Sequence, residues 1–332
     1  MKYQKVELTT DDENKKTNNT AKRIIGIEIL RMFLCFRIVV LHYYTSNNKF
    51  LLKLKEHQFQ VPCFFLISFY FLYKIILRKD YQKLKLRLER LLVPYIIYPI
   101  FVWIINNLIF LITKFNRFNR LLTLNELKLN LIVGKGIFGI GILWFHFNLI
   151  ILTLLFFIFS VLLEKYFLLL FQFIGLFALL IQYSEINFKY FNQYNINISM
   201  SVGNLIETLT MAIFAFSIAD ANIILFLSKK GIINSLFSCF FLFLIYYYNI
   251  FSPLYGFSSS GIKQIIVSFC LFNIFYIIKF DLFNSKTIVL VQQMTKYTQG
   301  IYCLHFLIQY YLKLLFDKNG TFIGCFILSL FP

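Results

Sequence analysis

Four ionisable side chains lie within the apolar stretch formed by residues 24–44: Glu28, Arg31, Arg37 and His42. Ionisable groups in a segment of membrane-spanning length are costly, so they usually face a bundle interior or a water-filled cavity, where many have a function. An imidazole can take a proton from a hydroxyl group. A guanidinium can bind a phosphate or a developing oxyanion. The stretch therefore combines a candidate base with a candidate anion-binding group.

The spacing of these residues predicts a common helix face. Ten residues separate Arg31 from His42, and eleven steps of about 100° return a helix to within about 20° of its starting face, about 16 Å further along the axis. Glu28 precedes Arg31 by three residues and can pair with it. We predict His42 as general base, Arg31 as anion ligand and Glu28 as the group that orients Arg31. An Arg–Glu pair that only ties helices together, with His42 at the membrane interface, fits the composition equally well.

Further polar residues lie in later apolar runs. Trp144 and His146 suit a membrane interface, where aromatic and amphipathic rings are common. His305 lies within a late span and needs a polar partner there, either for packing or for catalysis. Glu207 and Asp220 fit an ion path or a group that polarises a base. The four histidines have no neighbouring Asp, Glu or Cys cluster, so we expect no metal site.

The composition defines the class of protein. Of 332 residues, 59% are hydrophobic and only 14% are charged, which is too apolar for a soluble domain. We predict an all-α, polytopic transmembrane helical bundle of nine or ten spans in one domain, residues 24–332, preceded by a disordered tail, residues 1–23. The predicted runs are 24–44, 59–77, 91–113, 137–163, 166–183, 204–228, 231–250, 263–280, 297–316 and a short 320–332.

The basic residues predict orientation and exclude one class of partner. The net charge is +18, but most of the basic residues lie in short loops, as in membrane proteins, so nucleic-acid binding is not expected. The basic segment 78–90 predicts a cytoplasmic loop, which places the N-terminus in the cytoplasm and the Asn-rich loop 187–204 outside. The basic loop 114–135 falls outside under this count, and its residues 121–131 have the periodicity of a helix lying along the interface.

Five short motifs are informative because of the order in which they occur along the chain. They are Glu28–His42 with its Arg-ten-residues-His spacing, Val61–Ser68 (VPCFFLIS), Arg87–Tyr95 (RLERLLVPY), Leu143–Phe145 (LWF) and Gly300–His305 (GIYCLH). In order and spacing, over most of the chain, they resemble the acyltransferase 3 family. Members of this family are membrane enzymes that O-acylate carbohydrates and other acceptors.

The resemblance implies a reaction and its substrates. The donor would be acyl-CoA, with acetyl-CoA expected, and the acceptor a hydroxyl group of a glycan or another surface molecule, with no permanently bound cofactor. Arg31 would hold the donor, and His42 would deprotonate the acceptor or carry the acyl group transiently. Ser68, Trp144, His146 and His305 are secondary candidates for the site.

Two other functions remain open on the sequence. A small-solute transporter could use Arg31 and His42 along its pathway, although no repeated half is detectable. A non-catalytic descendant of the enzyme is the other. The family often has glycine where this chain has Phe69, and commonly has arginine where it has Gly203.

Overall fold

The computed structural model describes residues 24–42, 59–113, 120–134, 143–183, 196–229, 231–247, 259–278 and 284–315. Within these ranges the chain is helical and contains no strand, as the prediction of an all-α fold requires. The helices are α1 (Ile25–His42), α2 (Gln60–Leu77), α3 (Tyr81–Thr113), α4 (Leu124–Val133), α5 (Leu143–Leu163), α6 (Phe167–Tyr183), α7 (Ile196–Asp220), α8 (Ile223–Lys229), α9 (Gly231–Tyr247), α10 (Ser259–Ile277) and α11 (Ser285–Leu315). A short 3₁₀ turn, Glu164–Tyr166, joins α5 to α6.

In the described part of the chain, three helices are long and apolar enough to cross a membrane: Gln60–Leu77, Tyr81–Ile112 and Leu143–Leu163. Shorter apolar helices occupy 167–177, 233–244 and 263–277. The predicted nine or ten spans are thus not confirmed. Helix α1 has the same length as α2 but contains three charged side chains, which lower its hydropathy.

Several predicted runs have different bounds in the structure. The run 297–316 belongs to a helix that begins twelve residues earlier, at Ser285. The run 204–228 is not one helix, because a turn at Ala221 and Asn222 separates α7 from α8. Asn222 has a φ of 53° there, a left-handed conformation that asparagine tolerates better than most residues. The third run begins ten residues before its predicted start, at Tyr81, because the basic segment 81–90 continues the helix.

An aromatic core fixes α2 against α5, α6 and α7. The ring of Phe156 lies 4.6 Å from that of Phe171 and 4.6 Å from that of Phe216. Phe69 packs edge-on against both Phe156 and Phe216. Such aromatic pairs contribute about 0.5–1.5 kcal/mol each beyond the burial of their surface, so they give α2 a defined position at the centre of the bundle.

The turn between α2 and α3 has a lysine where glycine is usual. The amide of Lys79 donates to the carbonyl of Ile76 and the amide of Asp80 to that of Ile75, which is the hydrogen-bond pattern of a Schellman motif. Lys79 occupies the left-handed position of this motif, with a φ of 51°. A residue with a Cβ atom costs about 1–2 kcal/mol in that conformation.

Helix α4 runs back along α3. The Nε1 atom of Trp103 and the Nδ2 atom of Asn107 donate to the carbonyl of Leu122 at 2.9 and 3.0 Å, and the hydroxyl of Tyr95 donates to the carbonyl of Leu131 at 2.6 Å. Later residues of α4 thus contact earlier residues of α3. The helix predicted within 121–131 exists, but it lies antiparallel to a candidate span, in contrast to the predicted position along the interface.

Helix α1 is held by two helices that lie late in the chain. A methyl group at Gly26 would overlap the carbonyl oxygen of Phe275, so α1 and α10 can approach this closely only because residue 26 has no side chain. On another face, the Sγ atom of Cys35 lies 3.4 Å from the carbonyl oxygen of Thr298 in α11. These contacts place α1 between α10 and α11.

Candidate active site

The site begins with the ion pair predicted on α1. The Nη1 atom of Arg31 lies 3.4 Å from the Oε1 atom of Glu28, and the Glu28 side chain is buried. The three-residue spacing brings the two groups together on one face. A buried carboxylate needs a positive partner, so Glu28 limits where the guanidinium of Arg31 can point.

A second guanidinium approaches from α3. Arg87 donates through Nη2 to the hydroxyl oxygen of Ser68 in α2 at 2.7 Å. The positive charge of Arg31 is near enough to act on that of Arg87. The Nε atom of Arg87 is buried, and no acceptor for it lies in the described ranges. Together Glu28, Arg31, Ser68 and Arg87, here called the arginine cluster, join the first three helices.

The contacts also define the directions of these helices. The guanidinium of Arg37 lies 4.3 Å from the ring centre of Phe59, at the start of α2, whereas Arg31 lies near the Ser68–Arg87 contact further along α2. Helix α2 is therefore antiparallel to α1. Because a tight turn joins α2 to α3, α3 runs in the same direction as α1.

Because α1 and α3 run in the same direction, residues at equal distances beyond the arginine cluster lie at about the same depth in the bundle. Tyr98 follows Arg87 by eleven residues, just as His42 follows Arg31 by eleven, which is about 16 Å in each helix. A Cβ atom at Gly300 of α11 would lie 3.1 Å from the hydroxyl oxygen of Tyr98. The late Gly-Ile-Tyr stretch thus reaches α3 at about the depth where α1 ends.

His42 is the last residue of α1, and its side chain lies outside the described part of the structure. Its backbone position puts it within about 20° of the Arg31 face, close to the direction of Cys35. Cys35 contacts α11, the helix that contains His305. The side chain of His305 is buried, with Nδ1 lying 3.2 Å from the carbonyl oxygen of Ile301.

The remaining candidates lie on α5. His146 is only 2% exposed, so it faces the bundle interior and not the lipid surface that its sequence context favoured. Trp144 is half-buried and its ring lies 5.8 Å from that of Phe65 in α2.

The two acidic residues of the sixth predicted run are separated by the fold. Asp220 is exposed at the end of α7 and accepts a hydrogen bond from the hydroxyl of Tyr73 at 2.6 Å. Glu207 is half-buried earlier in the same helix. In the described residues, no three His, Cys, Asp or Glu side chains are grouped so that they could hold a metal ion.

Comparison with known proteins assigns the chain to a family. The model of the acyltransferase 3 family, described as an acyltransferase domain, matches residues 24–331. The chain belongs to the acyltransferase 3 family. This family assignment and the apolar helices together indicate a membrane acyltransferase. No curated protein and no solved structure showed significant similarity.

Sequence reasoning missed the position of Arg87 in the arginine cluster. Arg87 entered only as part of a motif at the start of a span, without a role of its own. One signal was present, because the spacing from Arg87 to Tyr98 repeats that from Arg31 to His42. The contact with Ser68 could not be predicted, since it depends on how α2 and α3 pack.

Proposed function

We propose that this acyltransferase moves an acyl group, most simply acetyl, from acyl-CoA to a hydroxyl group of a glycan or similar surface acceptor. The observation that supports this function best is the arginine cluster, with two neighbouring and partly buried guanidinium groups where three helices meet. Glu28, Arg31 and Arg87 sum to one positive charge, and the buried Nε–H of Arg87 points to no described acceptor. An anionic ligand would supply both a negative charge that balances the cluster and an acceptor for this N–H group.

Acyl-CoA fits these requirements by its chemistry. Its phosphate groups and its thioester lie at opposite ends of an extended chain, and Arg31 and His42 lie about 16 Å apart along α1. Donor phosphates at the arginine cluster would leave the thioester free to extend toward the end of α1. In a closer pose, Arg31 would instead polarise the thioester carbonyl.

His42 supplies the proton chemistry in this proposal. The imidazole accepts the proton of the acceptor hydroxyl as that oxygen attacks the thioester carbonyl carbon, and the carbon–sulfur bond then breaks. The leaving thiolate takes the proton from the imidazolium, so that free CoA and an O-acyl ester are formed. Alternatively, the imidazole attacks first and an acyl-imidazole passes its acyl group to the hydroxyl.

A transfer assay with the purified full chain tests the proposal. Labelled acetyl-CoA and a mixture of glycans should yield labelled glycan and an equal amount of free CoA. Arg87→Ala should lower transfer about 100-fold, by loss of an anion-binding group. Lys85→Ala, which alters an exposed residue of the same helix, should leave transfer unchanged.

Other outcomes would support other functions. Uptake of a small solute into vesicles without any acyl transfer would contradict the proposal in favour of a transporter. Binding of acyl-CoA without transfer to any acceptor in a broad set would indicate a non-catalytic descendant. One equivalent of CoA released before any acceptor is added would select the acyl-imidazole route.

A further inference from the structure

A cavity of about 310 Å³ lies where all three candidate spans meet. Gln60–Leu77 and Leu143–Leu163 end at it, and Tyr81–Ile112 begins there. Helices that cross a membrane leave the hydrocarbon layer near their ends, so a cavity shared by three span ends lies near the lipid headgroups. A volume of this size lies at the lower end of the range for small-molecule sites.

The lining of the cavity has a polar part and an apolar part. Lys79, Asp80 and Glu164 lie just beyond the span ends, whereas the remaining wall is mostly apolar and aromatic. Three of the apolar residues, Leu77, Tyr81 and Val161, are also exposed at the surface of the bundle. An amphipathic ligand could place its polar group at the first part and its hydrocarbon against the second.

Two opposite charges form an ion pair in the lining of this cavity. The Nζ atom of Lys79 lies 3.6 Å from the Oε1 atom of Glu164, and the side chains are 69% and 67% exposed. A long and exposed pair of this kind contributes little stability by itself. Asp80 is differently engaged, because it accepts a 2.6 Å hydrogen bond from Lys83, and this bond lowers the pKa of Asp80.

Both members of the pair adopt an unfavourable backbone conformation. Lys79 has a φ of 51° and Glu164 a φ of 38°, although glycine would fit either turn without strain. Strained residues persist when the surrounding structure holds them, and they are common at ligand clamps. Lys79 and Glu164 thus both occupy turn positions whose backbone conformation glycine would adopt with less strain.

From these observations we propose that this cavity binds the headgroup of a zwitterionic phospholipid of the phosphatidylethanolamine type. Its phosphate pairs with Lys79 and its ammonium with Glu164, while an acyl chain lies against Leu77 and Val161. A zwitterion satisfies both charges. A purely anionic headgroup would face the Glu164 carboxylate, and a quaternary ammonium could not donate a hydrogen bond to it.

Native mass spectrometry of the delipidated full chain tests this site. Added phosphatidylethanolamine should remain bound at lower concentrations than phosphatidylcholine or phosphatidylglycerol. Lys79→Gly suits the left-handed turn and should preserve the fold, yet it should weaken phosphatidylethanolamine binding about tenfold, by loss of one charge-assisted hydrogen bond. Glu164→Gln should remove the preference over phosphatidylcholine. Lys85→Ala, outside the cavity, should change neither result.

Three outcomes would overturn the proposal. One is equal retention of all three phospholipids by the wild type. A second is unchanged phosphatidylethanolamine binding in Lys79→Gly at an unchanged melting temperature. The third is soluble O-phosphoethanolamine competing as well as the intact lipid, which would assign the cavity to a soluble ligand. Acyl transfer is not used in this test, so its result is independent of the function proposed above.

Discussion

At the scale of single residues, the two guanidinium groups of the arginine cluster have different partners. Arg31 is paired with a carboxylate, whereas Arg87 donates to the neutral hydroxyl of Ser68. Two neighbouring cations repel each other, and a bound anion would reduce this repulsion. Arg31 would orient the ligand, and Arg87 would gain the larger share of new hydrogen bonds.

The substitution Arg31→Lys distinguishes the contribution of the positive charge from that of the planar guanidinium. The lysine keeps the positive charge but loses the planar fork, which alone can make two parallel hydrogen bonds to one anionic group. We expect kcat/KM for acyl transfer to fall about 100-fold in Arg31→Lys, with little loss of folded protein. Near-normal turnover, measured with labelled acyl-CoA at matched expression, would exclude a bidentate role.

Replacement of His42 tests the proposed base. His42→Ala should abolish transfer while acyl-CoA binding persists, because the residue lies about 16 Å along the helix from Arg31. Wild-type activity should rise with pH around the value at which histidine ordinarily titrates, about 6.5, since a base must be unprotonated to act. Residual activity of His42→Gln should lack that rise. Full activity in His42→Ala would move the chemistry elsewhere, with His305 tested next.

At the scale of elements, α4 begins at a cluster of three interacting residues, Arg120, Thr123 and Glu126. Thr123 and Glu126 form a capping box, and Arg120 donates to both carboxylate oxygens of Glu126. The hydrogen bonds from Arg120, helped by those from Thr123, lower the pKa of Glu126 to about 2. The same residues anchor the chain beside Leu122, which accepts from Trp103 and Asn107.

This lowered pKa predicts an acid-sensitive helix. A carboxylate whose pKa is lower in the folded state stabilises that state above its ordinary titration range and loses this effect as pH falls toward 2. Amide exchange in α4, corrected for intrinsic rates, should therefore accelerate between about pH 5 and 2. In Glu126→Gln, exchange should be faster at neutral pH and nearly independent of pH over this interval. The same acceleration in the variant would assign the effect to another group.

At the scale of the whole molecule, orientation decides which substrate reaches which end of α1. The basic segment 78–90 predicts that the α2–α3 turn is cytoplasmic. In a variant without its native cysteines, one cysteine introduced between residues 187 and 195 should react with an impermeant maleimide added outside intact cells. A cysteine at Arg78 should react only after lysis. The reverse pattern would place the Arg31 end of α1 outside and its His42 end toward the cytoplasm.

Some features of the fold follow from local sequence. The bounds of α2 were predicted to within one residue, because apolar residues fill it and polar residues follow it. The Glu28–Arg31 pair was equally predictable, since both members lie on one helix. Features that join distant segments were not predictable. The Ser68–Arg87 contact, the course of α4 along α3 and the burial of His146 depend on packing between helices, which no local pattern specifies.

The contacts of α1 have a consequence for the order in which the protein is made. Cys35 and its partner Thr298 are 263 residues apart in the sequence, and a ribosome adds about 5–20 residues per second. Helix α1 therefore leaves the ribosome roughly 10–50 s before α11 does. During this interval Arg31 and Arg37 can already meet α2 and α3, whereas Cys35 still lacks its contact with α11. The first three helices of a nascent chain can thus assemble well before the last contact of α1 is made.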